Sequence, residues 1–347
     1  MPHNLWDFVD AASTDELTKR KNREDFDSIT INPRFLVDVG KRDISTTVLG
    51  EKIDFPVMIA PAGGQRHVHP DGERASAAAA GSLGTLYALP TGSGYSIEEV
   101  AEVATGPLWF QLYHFNDEVT ELLTKRAKAA GYKAVCLTVD TPVASPKERD
   151  VRNHFQRDPS LYMGSLRDRP DLTSKRDVGI PDMADWSPPG YAGLTWDRLE
   201  WLRSLTGLPL IIKGIRTVED AIMCAEYGVD GIVVSNHGGR QLDSTRSSIE
   251  TLPGISDAVG NSVEIYFDSG VRRGMDVLKA LALGARAVLV GRPMLWGLAI
   301  NGQEGVRNML EILRVEFDRA LAYTGRTSVA ELDRSVVNLP CDCWTRR

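Results

Sequence analysis

The chain has 347 residues, of which 42% are hydrophobic and 25% charged, and a formal net charge of −7. These proportions are ordinary for a globular protein, and an acidic balance without a basic cluster interleaved with aromatics argues against nucleic acid as a partner. No apolar run approaches the roughly 20 residues that span a bilayer, no signal-peptide pattern opens the chain, and its four cysteines make no disulfide framework at this length; a soluble, cytoplasmic protein with no membrane partner is expected.

Residues 1–54 precede the first strand and hold a helix, Asp15 to Asp25, which Ser13 and Glu16 are spaced to cap reciprocally. Eight short apolar, β-branched runs follow, read as buried strands: Phe55 to Pro61, Thr85 to Pro90, Leu108 to Tyr113, Ala134 to Asp140, Leu208 to Ile215, Gly231 to Asn236, Val263 to Gly270 and Ala287 to Pro293. Helical patterns lie between most of them. Asp117 to Ala130 puts Val119, Leu122, Leu123 and Ala127 on one face and stops at Gly131; Val218 to Tyr227 and Met275 to Leu283 stop likewise at Gly228 and Gly284. Continuous apolar strands alternating with amphipathic helices predict a parallel sheet covered on its outer face. Eight such units predict an α/β protein, a closed (β/α)8 TIM barrel, as a single domain over 1–347. A doubly wound sheet competes, but no G-x-G-x-x-G turn follows the first strand.

Residues 156–193, rich in Arg, Asp, Pro and Gly, break the rhythm after the fourth strand. Because they leave the C-terminal end of a barrel strand, where barrel active sites lie, they are expected to form a mobile lid. Cys136 and Cys224 fall in a strand and a helix as core residues, and the tail 333–347, with Cys341 and Cys343, is expected to be unstructured. His67 and His69 have the i, i+2 spacing of a metal pair, but a structural turn after the first strand is the expected role, with no metal bound.

The strands end in chemistry. Strand three ends at Gln111 and Tyr113, strand four at Thr138 and Asp140, strand five at Lys213. Strand six runs into Ser235-Asn236-His237-Gly238-Gly239-Arg240-Gln241-Leu242-Asp243, which places an imidazole and a guanidinium on a glycine-loosened turn. An imidazole suits a general base near neutral pH, and an arginine fork suits a carboxylate. Strand seven runs into Asp268-Ser269-Gly270-Val271-Arg272-Arg273-Gly274 and strand eight into Gly291-Arg292-Pro293. Loops after the last two strands of a barrel often bind phosphate through backbone N–H groups and a helix N-terminus, and Arg272 and Arg292 add charge-assisted bonds. Lys213, at the end of a buried strand, needs an anion or an electron-rich ring in the barrel mouth. A phosphate-bearing cofactor lying across the mouth satisfies all three groups.

These strings, with Ala60-Pro61, His69-Pro70, Gly72-Glu73, Phe110 to Tyr113 and Leu137 to Pro142, resemble the FMN-dependent 2-hydroxy-acid oxidase and dehydrogenase family from about Leu5 to Leu332. The resemblance implies FMN as cofactor and His237 as the base that takes a proton from the substrate while two electrons pass to the flavin. It implies that Asp140 stabilises the imidazolium and that Lys213 stabilises the reduced ring. Ala60, Pro61, Ala62, Gln111 and Thr138 are then expected along the flavin, and Asp268, Gly270, Arg272, Gly291 and Arg292 around the ribityl phosphate. Arg240 is expected to grip the substrate carboxylate, and Tyr113 to hydrogen-bond near the reacting carbon. The resemblance also implies a homo-oligomer, a tetramer in this family, and an electron acceptor that is oxygen or another oxidant.

The sequence departs from the family pattern around the substrate. Phe8 stands at the position of a clamping tyrosine, and Lys147, placed by the anchor Asp150-Val151-Arg152-Asn153, stands where an arginine belongs. Lysine keeps the charge and loses the bidentate fork. Gly92 replaces a bulky aromatic, Pro90 replaces a hydroxyl that serves FMN, Ser269 replaces a glycine, and the N-terminus is short of the usual first helix. Three readings follow: a flavin enzyme for a bulkier 2-hydroxy acid or carboxyl derivative, an ordinary glycolate- or lactate-type oxidase, and an FMN-binding scaffold without turnover.

Overall fold

In the computed structural model, which describes residues 1–172, 193–340 and Trp344, eight parallel strands close on themselves. They are β1 (Val57–Ile59), β2 (Tyr87–Pro90), β3 (Leu108–Leu112), β4 (Ala134–Thr138), β5 (Leu210–Ile215), β6 (Gly231–Val234), β7 (Glu264–Phe267) and β8 (Ala287–Val290). The ring closes where Val288 pairs with Val57. The (β/α)8 barrel expected from the sequence is therefore the fold. Each strand is one to three residues shorter than the run read from the sequence, at one end or both.

Side chains alternate across the barrel wall. Met58, Ala88, Trp109, Cys136, Ile211, Val233, Tyr266 and Leu289 form one interior cluster, with Trp109 and Tyr266 edge to face at 4.9 Å. The antiparallel pair Thr46–Val48 and Glu51–Ile53 adds Val48 and Ile53 to this plug. Two residues further along each strand, the same alternation delivers Ala60, Pro90, Gln111, Lys213, Asp268 and Gly291 to a cavity at the C-terminal mouth. The period-two pattern that fills the core thus also aims the polar groups.

Two helices at the N-terminus pack across this mouth: α1 (His3–Asp10) and α2 (Leu17–Ser28). α1 lies ahead of the helix expected from Asp15 to Asp25. It is docked by Arg149, which pairs with Asp7 at 3.0 Å, Asp10 at 2.8 Å and Glu16 at 2.8 Å. The same contacts overturn the predicted capping box. Glu16 lies in the left-handed region (φ 58°), its carboxylate accepts from Ala12 N and Arg149, and the Ser13 hydroxyl accepts from Ser145. The helix starts at Leu17 as a result.

Residues 156–172 are hydrogen-bonded to the rim. Gly164 N donates to Ser93 O at 2.7 Å, Ile97 N to the Ser165 hydroxyl at 3.0 Å, and Arg167 to Gly94 O at 3.0 Å. Gly164 packs so closely that a Cβ would lie 2.6 Å from Gly94 O. The rest of that insertion, residues 173–192, lies outside the described residues, as do Cys341 and Cys343. His67 has a structural partner: its Nε2 accepts from Asp158 N at 2.9 Å. The start of the tail is ordered, since Val337–Asn338 pairs antiparallel with Thr30–Ile31. No described helix is long and apolar enough to cross a membrane.

Candidate active site

His237 sits one turn beyond β6 in a backbone conformation that L-residues avoid. His237, Gly238 and Gly239 are all left-handed, with φ of 58°, 67° and 77°. The glycines are required by space as well as by angle: a Cβ on Gly239 would lie 2.8 Å from Lys19 N of α2, and one on Gly238 2.9 Å from Arg292 Nη1. The strained turn is held on several sides. His237 N donates to the Ser235 hydroxyl and Gly239 N to Asn236 Oδ1, each at 3.0 Å. Asn236 and Asn22 of α2 exchange two buried amide hydrogen bonds, at 2.9 and 2.7 Å.

The His237 Nδ1 lies 2.9 Å from Asp140 Oδ1, so Nδ1 carries the proton and donates it to the carboxylate, leaving Nε2 as the acceptor nitrogen. Burial lowers the pKa of His237 below that of a free imidazole, against the pull of Asp140. For Asp140, burial pushes the carboxyl up, but His237, Lys213 and Arg216 outweigh it and keep it below the usual range. Near neutral pH the pair is a neutral imidazole beside a carboxylate. A bulge in β5 makes this approach possible, since Gly214 has φ 113° and its Cβ would lie 2.7 Å from the Asp140 Cβ.

Lys213, buried beside the same bulge, donates to the Ser235 hydroxyl at 3.1 Å and faces Asp268 at 3.4 Å. Burial works against its charge, but Asp268 and Asp140 more than compensate, and it is held as an ammonium. Asp268, grouped with the phosphate turn in the sequence, instead turns back towards Lys213. Its other oxygen accepts from the Ser269 hydroxyl at 2.7 Å, and that hydroxyl accepts in turn from Gly238 N at 2.9 Å. The serine at φ 81° is thus a strut between the seventh-strand turn and the His237 turn. Across the mouth, Gln111 donates to the Thr138 hydroxyl at 3.0 Å. Thr91, next to Pro90, bonds Gln111 O at 2.6 Å and receives Tyr113 N at 3.0 Å.

The turns after β7 and β8 form an electropositive corner. Gly270 (φ 94°) lies so close to α2 that a Cβ would meet Asn22 O at 2.5 Å. Helices Gly274–Ala282 and Arg292–Tyr323 begin here. The Arg272 guanidinium donates to Val271 O and packs over Trp296, while Arg292 donates to Val9 O, Gly238 O and Ala11 O. Neither has a carboxylate within 4 Å among the described residues. Burial, with repulsion from a neighbouring arginine, lowers each to about 10. Two buried guanidinia, glycine-opened backbone and two helix N-termini fit a dianionic phosphate. Ala60, Pro61, Ala62, Gln111, Lys213 and Gly291 line the same cavity, so the donor set fits a phosphorylated flavin.

The substrate candidates line the same cavity, and Arg240 shares the Ala11 carbonyl with Arg292. Arg240 donates through Nη1 to Phe8 O (3.0 Å) and Ala11 O (2.6 Å), the carbonyls that end α1, and its Nε and Nη2 make no hydrogen bond among the described residues. Tyr113 lines the cavity. Phe8 stacks on Phe155 at 4.7 Å, and Arg240 lies over its ring at 5.6 Å. Lys147 donates to Ser145 O at 3.2 Å, and burial beside Arg240 and Arg157 lowers its pKa to about 7. One expectation is overturned here. Gly92 does not leave a void, because a Cβ there would lie 2.4 Å from the Tyr162 ring. Tyr162, from the rim-docked insertion, fills that space. Arg157, from the same insertion, also lines the cavity and was not anticipated. The only sequence signal for either was a rim glycine followed, some 70 residues on, by an insertion carrying an aromatic and a basic residue.

The chain matches the FMN-dependent dehydrogenase family over residues 1–339. It is 44% identical over 351 residues to an L-lactate oxidase of Nostoc sp., covering 96% of this chain and 93% of the relative. It is 42% identical over 354 residues to glycolate oxidase 1 of Oryza sativa subsp. indica, covering 100% and 94%. Among solved structures, a mandelate oxidase variant with (S)-mandelic acid superposes with a TM-score of 0.86 at 39% identity, over 97% of this chain and 94% of that one. A chimera of (S)-mandelate dehydrogenase superposes with a TM-score of 0.90 at 36% identity, over 98% and 96%.

Proposed function

The chain belongs to the family of FMN-dependent dehydrogenases and carries out FMN-dependent oxidation of a 2-hydroxy acid at its CH–OH group, and from that premise we propose that His237 is the base and that the substrate bears an apolar or aromatic substituent. The observation that carries the first part is the His237–Asp140 pair at 2.9 Å in the mouth of the barrel, facing the same cavity as Lys213 and Arg240. Bound FMN supplies the two-electron acceptor. Arg272, Arg292 and the backbone of the seventh- and eighth-strand turns would hold its phosphate, and Gln111, Thr138 and Lys213 its ring system.

The protein's own part is to orient and deprotonate. Arg240 fixes the substrate carboxylate through Nε and Nη2. His237 takes a proton at Nε2, and the developing imidazolium is stabilised by the Asp140 carboxylate on its other nitrogen. Lys213, kept cationic by Asp268, is the charge that favours added electron density at the cofactor. Phe115 and Val143 line the same cavity, which supports an apolar substituent. The relatives that oxidise lactate and glycolate support a second reading, a two- or three-carbon acid. Anaerobic bleaching of the flavin by a panel of 2-hydroxy acids, their esters and their amides tests both. Fast bleaching by phenyl- or alkyl-substituted acids supports the first, fast bleaching by glycolate alone supports the second, and no bleaching by any acid removes the catalytic reading.

A further inference from the structure

We propose that Arg157 is a specificity-determining residue: its guanidinium, held between the rings of Phe8 and Tyr162, grips the substrate carboxylate together with Arg240, in the role that Lys147 would take by sequence position. The inference rests on the 2-hydroxy-acid reading above. It ties together departures that looked unrelated in the sequence, and the geometry makes them one construction.

The Arg157 guanidinium carbon lies 5.1 Å from the centre of the Phe8 ring and 5.2 Å from that of Tyr162. Two aromatic contacts of this kind fix the plane of a guanidinium and leave its edge donors available. Its Nε is buried without a hydrogen-bond partner, and no carboxylate lies within ion-pair distance of it among the described residues. A hydroxyl on the Phe8 ring is not needed when a cation is held against that ring. Gly92 is required because Tyr162 occupies the place of any side chain there, with its ring carbons and hydroxyl 2.4 to 2.5 Å from a built Cβ. Asp158 N bonded to His67 and Gly164 N bonded to Ser93 O anchor the segment on either side, so Arg157 and Tyr162 are presented by fixed backbone.

Lys147 is poorly placed for the role. Its ammonium donates to Ser145 O and is weakened by burial and by the two guanidinia beside it. Lys147, Arg157 and Arg240 lie around Asp150, which is buried with neither oxygen hydrogen-bonded, and Lys147 also feels Asp140. The cluster is electropositive before substrate arrives. A substrate carboxylate supplies the anion that Arg157 lacks, in the paired geometry a fixed guanidinium favours.

The test uses purified holoenzyme and two dead-end probes without an oxidisable carbinol, phenylacetate and its neutral counterpart phenylacetamide, titrated while the visible spectrum of the flavin is followed. Arg157→Met is expected to weaken phenylacetate binding by about 10- to 100-fold, the range for one lost charge-assisted hydrogen bond, and to leave phenylacetamide within about threefold. Arg157→Gln, which keeps length and a planar end, repeats the test should the methionine variant fold poorly, with Arg157→Lys expected to recover part of the affinity. Lys147→Met is expected to cost less than Arg157→Met. Equal phenylacetate affinity in wild type and both neutral variants, or equal loss of acid and amide, overturns the proposal. A wild-type enzyme whose flavin no 2-hydroxy acid reduces overturns instead the reading on which it rests.

Discussion

Asp140→Asn isolates charge from geometry at the centre of the site. The amide oxygen can still accept from His237 Nδ1, which now lies 2.9 Å from Asp140 Oδ1, and the second oxygen, Oδ2, has no partner to lose among the described residues. What disappears is a negative charge whose centre is roughly 4 Å from that of the imidazolium. At an effective dielectric of about 20 such a pair is worth on the order of 4 kcal/mol, or about three decades in rate if the imidazolium is fully formed in the transition state. Partial proton transfer reduces this, so flavin reduction is expected to slow by about 10²- to 10³-fold, with FMN retained. The pH dependence has a definite sign. The base works only when neutral, so kcat/KM falls as pH falls through its pKa. Burial already sets that pKa below the 6.5 of an ordinary histidine, against the charge of Asp140. Removing the charge lowers it further, and the acid limb moves to lower pH. Anaerobic stopped-flow reduction from pH 4.5 to 8 reads both effects. A variant that reduces within threefold of wild type, or whose acid limb moves upward, refutes the reasoning.

Gly92→Ala forces a Cβ into the Tyr162 ring and is expected to lower stability by about 1–3 kcal/mol. Adding Tyr162→Ala should remove most of that cost, and strict additivity in urea unfolding would show that the two residues do not meet. Gly239→Ala combines a left-handed φ of 77° with a Cβ 2.8 Å from Lys19 N, so it should lose about 2 kcal/mol or more and loosen α2; an unchanged urea midpoint contradicts the tight docking of α2 on the His237 turn. Heat should release FMN and no FAD, identified by mass, because a single phosphate corner is present among the described residues.

The barrel was legible because its signal is local. Eight continuous β-branched runs, each buried on both faces, could be found without knowing how they pair, and polar residues at their C-terminal ends marked the rim. Resemblance added the roles of His237 and Lys213, and the contacts show why they lie where they do: the period-two alternation of β5 and the Gly214 bulge put Lys213 and Asp140 on one side of the mouth. The substrate wall was not legible, because it depends on a segment without periodicity folding back over a loop some 70 residues earlier in the chain. Gly92 signalled missing bulk, but whether a glycine marks a void or a close approach is decided by the partner, here Tyr162. The capping reading of Ser13 and Glu16 failed for a similar reason, since Arg149, from a helix far along the chain, takes the Glu16 carboxylate.

The central claim is that His237 removes a proton from a 2-hydroxy acid, and the rate of flavin reduction in His237→Asn tests it most directly. Asparagine keeps a polar group on the same turn, and the phosphate corner built by Arg272, Arg292 and Gly270 is untouched, so the variant should bind FMN in full. With the best 2-hydroxy acid of the panel under anaerobic stopped-flow, the account predicts reduction slowed by at least about 10²-fold, since general-base catalysis contributes roughly 10²–10⁴-fold. Reduction at close to the wild-type rate, with FMN bound, would contradict it and leave His237 as a structural residue of the turn.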